Sequence, residues 1–375
     1  MTFRRSVPNL FAAGLLIAAA LIFAPVQGHA QGAGQRVVNI YNWSDYIDPS
    51  VIADFTRKTG IEVRYDTFDS NDTVEAKLLA GKSGYDVVVP TGYFLERQIK
   101  AGLFQKLDKS KLPNLVHAWP DVARRLEIYD PGNQYAVNYM WGTTGIGYNV
   151  GKVREILGPD ARIDSWNIVF DPAMLAKFKD CGVMMLDSAD DIMPAALHYL
   201  GIDPNSRKPE DLERGAELMA KIRPLVRKFH SSEYLTALAS GEICLVLGWS
   251  GDIKQAQKRA REAGNKVEIG YAIPQGGAQM WFDNFAIPAD AANVAEAHAF
   301  IDYMMQPKVA AKNVNFVTYA SGNLAAQALI DKAVLEDRSV YPDAATMKSL
   351  YVITAPDPKT QRLLTRLWTR IKTGR

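Results

Sequence analysis

The sequence has 375 residues with 43 basic and 41 acidic side chains, a net charge of +2, and this balance gives no case for nucleic acid or an anionic membrane surface as partner. At about 150 residues per domain the length suits two globular cores. After the first thirty residues no run stays apolar for the roughly 18 to 20 residues that span a bilayer, so a soluble mature chain is expected.

Arg4 and Arg5, the apolar run from Leu10 to Ala24 and the small residues of Gly28-His29-Ala30 predict a secretory signal peptide over residues 1–30. Ser6-Val7-Pro8-Asn9 lacks the apolar pair of a twin-arginine signal, and no cysteine near the cleavage site could carry a lipid. Val37 to Tyr41 then reads as a buried strand, Asp48-Pro49 as a helix cap and first turn, Val51 to Thr59 as the helix and Gly60 as its stop. Ile61 to Thr67 alternates like a strand, Asn71 to Ala80 is helical up to Gly81, and Tyr85 to Val89 is an apolar run followed by a helix reaching Ala101. Such βαβαβα order requires a parallel sheet covered by helices, whose ligands sit beyond the carboxyl ends of the strands, here just after Tyr41 and Val89.

From Gly142 the alternation restarts. Strands are expected at Val183 to Leu186, Ile243 to Gly248 and Val267 to Ala272, and helices over Asp190 to Leu200, Glu210 to Lys228 with a break at Pro224, and Asp252 to Ala263. A further strand ends at Ala286-Ile287-Pro288, Val294 to Met305 is helical, and a basic amphipathic helix runs from Pro358 to Lys372. The pattern predicts an α/β protein of two lobes, residues 31–141 with 275–320 and residues 142–274 with 321–375, without a low-complexity linker. Its hinge is expected in short crossover segments near Tyr139 to Gly145 and Ile273 to Asp283, with the ligand cleft between the lobes. Cys181 and Cys244 are the only cysteines; in an oxidising compartment they read as one disulfide, the alternative being two separate buried thiols.

Three places set an indole and a carboxylate together at a predicted strand end: Trp43-Ser44-Asp45-Tyr46, Trp249-Ser250-Gly251-Asp252 and Trp281-Phe282-Asp283. A tryptophan alone is more often core than site. Asp252 could cap the helix it opens, but no predicted helix begins directly after Asp45 or Asp283. Aromatic faces and ionised carboxylates share one kind of ligand, an organic cation with an aliphatic body. An ammonium over a tryptophan gains about 2 kcal/mol when desolvated, a charge-assisted hydrogen bond about 1.5 to 3, and each buried methylene about 0.8. An anion would want free helix N-termini, which Ser70-Asn71-Asp72-Thr73 and Thr143-Thr144 could supply, and an arginine, which no strand-end motif carries.

At these residues the chain resembles the periplasmic polyamine-binding proteins of ABC transporters, the putrescine and spermidine receptors with the two-lobed type II periplasmic-binding fold. The resemblance runs through Tyr41-Asn42-Trp43-Ser44-Asp45-Tyr46-Ile47, Tyr85-Asp86-Val87-Val88-Val89-Pro90, Phe94-Leu95-Glu96-Arg97-Gln98, Phe229-His230-Ser231-Ser232, Gly248-Trp249-Ser250-Gly251-Asp252, Phe282-Asp283-Asn284-Phe285-Ala286-Ile287-Pro288 and Tyr319-Ala320. It implies an aromatic box of Trp43, Tyr46, Trp249, Trp281 and Tyr319, with Ser44, Asp45, Asp252 and Asp283 on the ammonium groups and Thr91 and Tyr93 in the same ligand-binding set. Asp191 falls where putrescine-binding members carry a glutamate, which implies an amine contact through water or from a greater distance. Trp281 stands where putrescine receptors tend to have phenylalanine, and Tyr93 where spermidine-preferring relatives carry tyrosine, so both ligands stay open with putrescine first. The resemblance also implies a Cys181–Cys244 bridge, a periplasmic location and closure of the lobes on the ligand before delivery to an ABC-transporter permease; a monomer is the default for such a fold, and without HExxH, CxxC, phosphate-loop or dinucleotide motifs no cofactor or metal is expected.

Gly248-Trp249-Ser250-Gly251-Asp252 is a near miss for a nucleophile elbow, which keeps an exported serine hydrolase using Ser250 as an alternative. Its activating base would have to come from His117, His198, His230 or His298, which read as ordinary surface positions. A sensor that reports polyamine without transporting it is the third reading. Calcium on the clustered acids is disfavoured, because an indole beside each carboxylate suits a hard ion poorly.

Overall fold

The computed structural model describes residues 35–374; the leader expected over residues 1–30 lies outside them. Ten strands form one sheet: β1 Val37–Trp43, β2 Glu62–Phe68, β3 Val87–Val88, β4 Ala136–Asn149, β5 Val183–Met185, β6 Lys228–Phe229, β7 Leu245–Trp249, β8 Ile269–Ala272, β9 Gln279–Ala286 and β10 Ala320–Ser321. Their order is β2-β1-β3-β9-β4-β7-β5-β6, with β8 and β10 also pairing to β4. β1 runs parallel to β2 and β3, and β5 parallel to β6 and β7, as the strand–helix alternation requires. The inner strands of both parallel groups supply buried apolar side chains, Val38, Ile40, Val87 and Val88 in one and Val183, Leu245 and Val246 in the other, whereas the outer strands β2 and β6 are largely polar or exposed. Among the described residues no helix is long and apolar enough to cross a membrane.

Local chemistry sets the helix bounds close to where the sequence puts them. In the helix Pro49–Thr59 the Asp48 carboxylate accepts the Ser50 N–H, Pro49 fills the first turn, Val51 and Phe55 face the core, and Gly60 closes the helix at φ 70°. Ser70 caps Asn71–Leu79 through the Thr73 N–H, and Asp357 caps Pro358–Thr373 through the Lys359 and Thr360 N–H groups.

The two segments expected as crossovers lie in the middle of the sheet. The segment around Tyr139 to Gly145 belongs to the long strand β4, and β9 takes up the Gln279 to Asp283 end of the other. The two strands pair antiparallel from Ala136↔Ala286 to Thr144↔Gln279, with a register shift between Asn138 and Met140. Gly142, Gly145 and Gly147 each mark a close approach within β4. A Cβ on Gly145 would lie 2.5 Å from the Tyr271 hydroxyl, and one on Gly147 2.4 Å from Ile253 Cδ1. Cys181 and Cys244, just before β5 and β7, are disulfide-bonded with Cα atoms 5.6 Å apart.

Candidate functional site

A cleft of about 570 Å³, including its open mouth, lies at the ends of the parallel strands. All twelve residues expected in a ligand site line it: Trp43, Ser44, Asp45 and Tyr46; Thr91 and Tyr93; Asp191; Trp249 and Asp252; Trp281 and Asp283; and Tyr319. Trp43 ends β1 and Trp249 ends β7, where ligands of such sheets are held. The third indole–carboxylate pair is a correction. Trp281 and Asp283 sit inside β9, not at its end, and reach the cleft because residues two apart on a strand share a face.

The walls form a chain of edge-to-face aromatics. Ring centroids lie 5.6 Å apart for Trp43–Trp249, 6.5 Å for Trp249–Trp281, 5.4 Å for Trp281–Tyr319 and 5.1 Å for Tyr46–Tyr319, with interplanar angles of 62° to 78°. The Trp43 Nε1–H donates to the Val89 carbonyl at 2.9 Å and the Trp249 Nε1–H to Asp191 Oδ1 at 3.2 Å, which fixes both indoles.

Two buried carboxylates, Asp191 and Asp283, and the partly buried Asp252 face these rings. Asp283 accepts the Tyr46 hydroxyl at 2.8 Å and the Thr91 hydroxyl at 2.7 Å. Asp252 accepts the Tyr319 hydroxyl at 2.6 Å and the Tyr234 hydroxyl at 2.7 Å, so it serves the cleft rather than capping the helix Ser250–Glu262. Asp191 accepts the Thr144 hydroxyl at 2.5 Å and the Ser188 hydroxyl at 2.7 Å besides the Trp249 indole. Burial pushes Asp283 up to about 7 and Asp252 up to about 6 in spite of these donors, and raises Asp191 as well. Among the described residues no lysine or arginine pairs with Asp191 or Asp283, and the charges of Asp191 and Asp252 raise Asp283 further.

Asp45 behaves differently. Held at φ 55° on the cleft rim, its half-exposed carboxylate is salt-bridged to Arg259 at 2.7 Å. Ser44 donates its hydroxyl to the Phe68 carbonyl at 3.3 Å, and Tyr93 is buried in the wall.

The cleft is also lined by Phe68, Asp69, Asn71, Ser231, Ser232 and Leu235, which the sequence reading did not assign to the ligand. Asn71 positions Thr91, donating to its hydroxyl at 2.9 Å and accepting its N–H at 3.0 Å. Phe68 ends β2, so the strand-end rule applied there would have found that segment, whereas Ser231 follows β6, a two-residue strand that starts at Lys228, where the expected helix from Glu210 runs out.

The family model described as bacterial extracellular solute-binding protein matches residues 50–340. The chain is 51% identical to the putrescine-binding periplasmic protein SpuD of Pseudomonas aeruginosa, covering 96% of this chain and 99% of that one. It is 47% identical to the putrescine-binding periplasmic protein PotF of Escherichia coli, covering 96% and 97%. Among solved structures, a spermidine/putrescine ABC transporter protein of Listeria monocytogenes superimposes with a TM-score of 0.80 at 33% identity, covering 91% of this chain and all of that one. The spermidine/putrescine substrate-binding protein PotD of Streptococcus pneumoniae gives a TM-score of 0.73 at 31% identity, over 90% and 99%. With this sheet, this cleft and these relatives, the chain belongs to the bacterial extracellular solute-binding proteins and has their two-lobed type II periplasmic-binding fold.

Proposed function

We propose that the chain is a binding protein, not an enzyme, that captures a linear polyamine in the periplasm, putrescine first and spermidine next, and hands it to the permease of an ABC transporter. The observation that carries this reading is a charge deficit: Asp191 and Asp283 are buried without a cationic partner, beside Asp252, in a cleft walled by three indoles. Buried carboxylates are tolerated when a cation joins them, and a diammonium ligand with an aliphatic middle supplies both the charge and the apolar surface. The names of the relatives support the same ligand class. A hydrolase finds little support, since Ser250 Oγ accepts the Thr143 N–H at 3.3 Å and no histidine is among the lining residues. Titration calorimetry of the mature protein tests the reading. Saturable one-to-one binding of putrescine or spermidine supports it, heat from neither overturns it, and Ser250→Ala should bind as wild type within about twofold.

Closure is proposed between residues 31–141 with 275–320 and residues 142–274 with 321–375. Gly251 would then be a gauge of closure. The Tyr319 ring lies flat on it, 2.3 Å from where a Cβ would stand, and the Tyr319 hydroxyl accepts the Asp252 N–H at 3.1 Å. A methyl group there meets the ring only when the two lobes are together. Gly251→Ala is expected to weaken ligand binding about tenfold, from roughly 1 to 3 kcal/mol of overpacking, while leaving the thermal stability of the ligand-free protein within a degree or two of wild type. A variant that binds as wild type would remove Gly251 from the closed interface.

A further inference from the structure

Asp191 has little acceptor capacity left for a ligand. Its two oxygens already take hydrogen bonds from Thr144, Ser188 and Trp249, about three of the four or so that a carboxylate can accept, whereas a buried ammonium brings three N–H donors. The sheet places further acceptors beside it. Trp249 pairs with Thr144, Thr144 with Gln279, and Gln279 with Tyr351, so four neighbouring backbone segments present one row of side chains on a common face. The first two members of that row reach Asp191. The other two carry buried polar groups with no partner among the described residues: both ends of the Gln279 amide, a residue 1% exposed, and the Tyr351 hydroxyl. Such groups are rare in a folded interior and call for a partner.

Gln279 and Tyr351 are not themselves among the residues that line the cleft, but two observations set them beside its wall. Gln279 shares its face of β9 with Trp281 and Asp283, which both line the cleft. Tyr351 is fixed in place by main-chain hydrogen bonds to Met280 and Ala278, at 2.8 and 3.1 Å, and by the His198 ring 5.0 Å away. Four residues of strand, about 13 Å at ~3.3 Å per residue, separate Gln279 from Asp283, which is farther than a four-carbon diamine held at Asp283 extends.

We propose that Gln279 and Tyr351, with Asp191, form a further nitrogen-binding subsite at the far end of the cleft, which takes the terminal ammonium of a polyamine longer than a diamine, directly or through one bridging water. Gln279 Oε1 and Tyr351 Oη supply the acceptors that Asp191 lacks. The inference rests on the polyamine reading above, and one experiment separates the two.

Titration calorimetry with putrescine and with spermidine is run on wild type, Tyr351→Phe and Gln279→Met, alongside ligand-free melting. Expected is a rise in the spermidine Kd of about fivefold or more in each variant, a putrescine Kd within about twofold of wild type, and an unchanged or raised melting temperature. Spermidine affinity within about twofold of wild type in both variants, an equal loss for both ligands, or a wild type that binds putrescine but not spermidine would each overturn the subsite. A wild type that binds neither ligand overturns the polyamine reading itself.

Discussion

Asp283→Asn is expected to lower putrescine affinity by about 100-fold or more while the ligand-free protein melts no lower, and even higher, than wild type. Two effects of one carboxylate pull in opposite directions. Without ligand, Asp283 is a buried acid whose ordinary charge is opposed by desolvation and by Asp191 and Asp252, so its pKa sits at about 7 and its ionisation costs stability at neutral pH. Asparagine keeps the shape, and the Tyr46 and Thr91 hydroxyls that now donate to it can each rotate to donate or accept. With ligand, the same charge is what a desolvated ammonium needs, and its loss leaves that ammonium short of a charge-assisted hydrogen bond of about 1.5 to 3 kcal/mol and of its neutralising partner. Asp45→Asn is the contrast. That carboxylate is half-exposed, screened and already engaged by Arg259, so its removal should cost less than about tenfold. Calorimetry with a melting curve on each variant decides. If Asp283→Asn loses binding only together with a large drop in melting temperature, Asp283 is a structural acid and the charge argument fails.

Much of this arrangement is legible in the sequence because it depends on short-range chemistry. Asp48-Pro49 and Gly60 bound a helix by capping alone, and the apolar runs at Val37 to Tyr41 and Ile243 to Gly248 are short and contain β-branched residues, as buried strands do. Trp43, Trp249 and Asp252 follow from such strands, since the carboxyl ends of a parallel sheet are where ligands sit. What resists reading depends on partners distant in the chain. The β4 glycines carry no local explanation, because the need for them comes from Tyr271 and Ile253, which occupy the space a Cβ would take. Asp283 sits in the middle of a buried strand, a costly place for a carboxylate, and it is held there by hydroxyls from Tyr46 and Thr91, both far off in sequence. Asp45 carries the same local signature as Asp252, and only the fold brings Arg259 to one of them and two tyrosines to the other.

Acidification should act on affinity and on stability with opposite signs. Between about pH 8 and pH 5 a polyamine stays fully charged, since alkylammonium groups titrate near 10, so the protein's own acids set the response. Binding draws Asp283 and Asp252 down from about 7 and about 6 by placing a cation beside them, which means that the ligand competes with protons. Affinity is therefore full above about pH 7 and falls by up to tenfold per pH unit for each acid below its ligand-free pKa, a combined loss of about 100- to 1000-fold by pH 5. Stability without ligand runs the other way. An unfolded aspartate titrates near 3.9, so between about pH 4 and pH 7 the folded state binds more protons than the unfolded one, and these acids favour folding at pH 5 over pH 8. Melting curves with and without saturating putrescine should thus lie far apart at about pH 8 and draw together towards pH 5, with calorimetric proton release on binding near pH 6 to 7. A ligand-induced shift that is the same at both ends of that range would mean that the three carboxylates are already ionised in the empty cleft, and that the ligand is recognised by its shape and apolar surface more than by its charge.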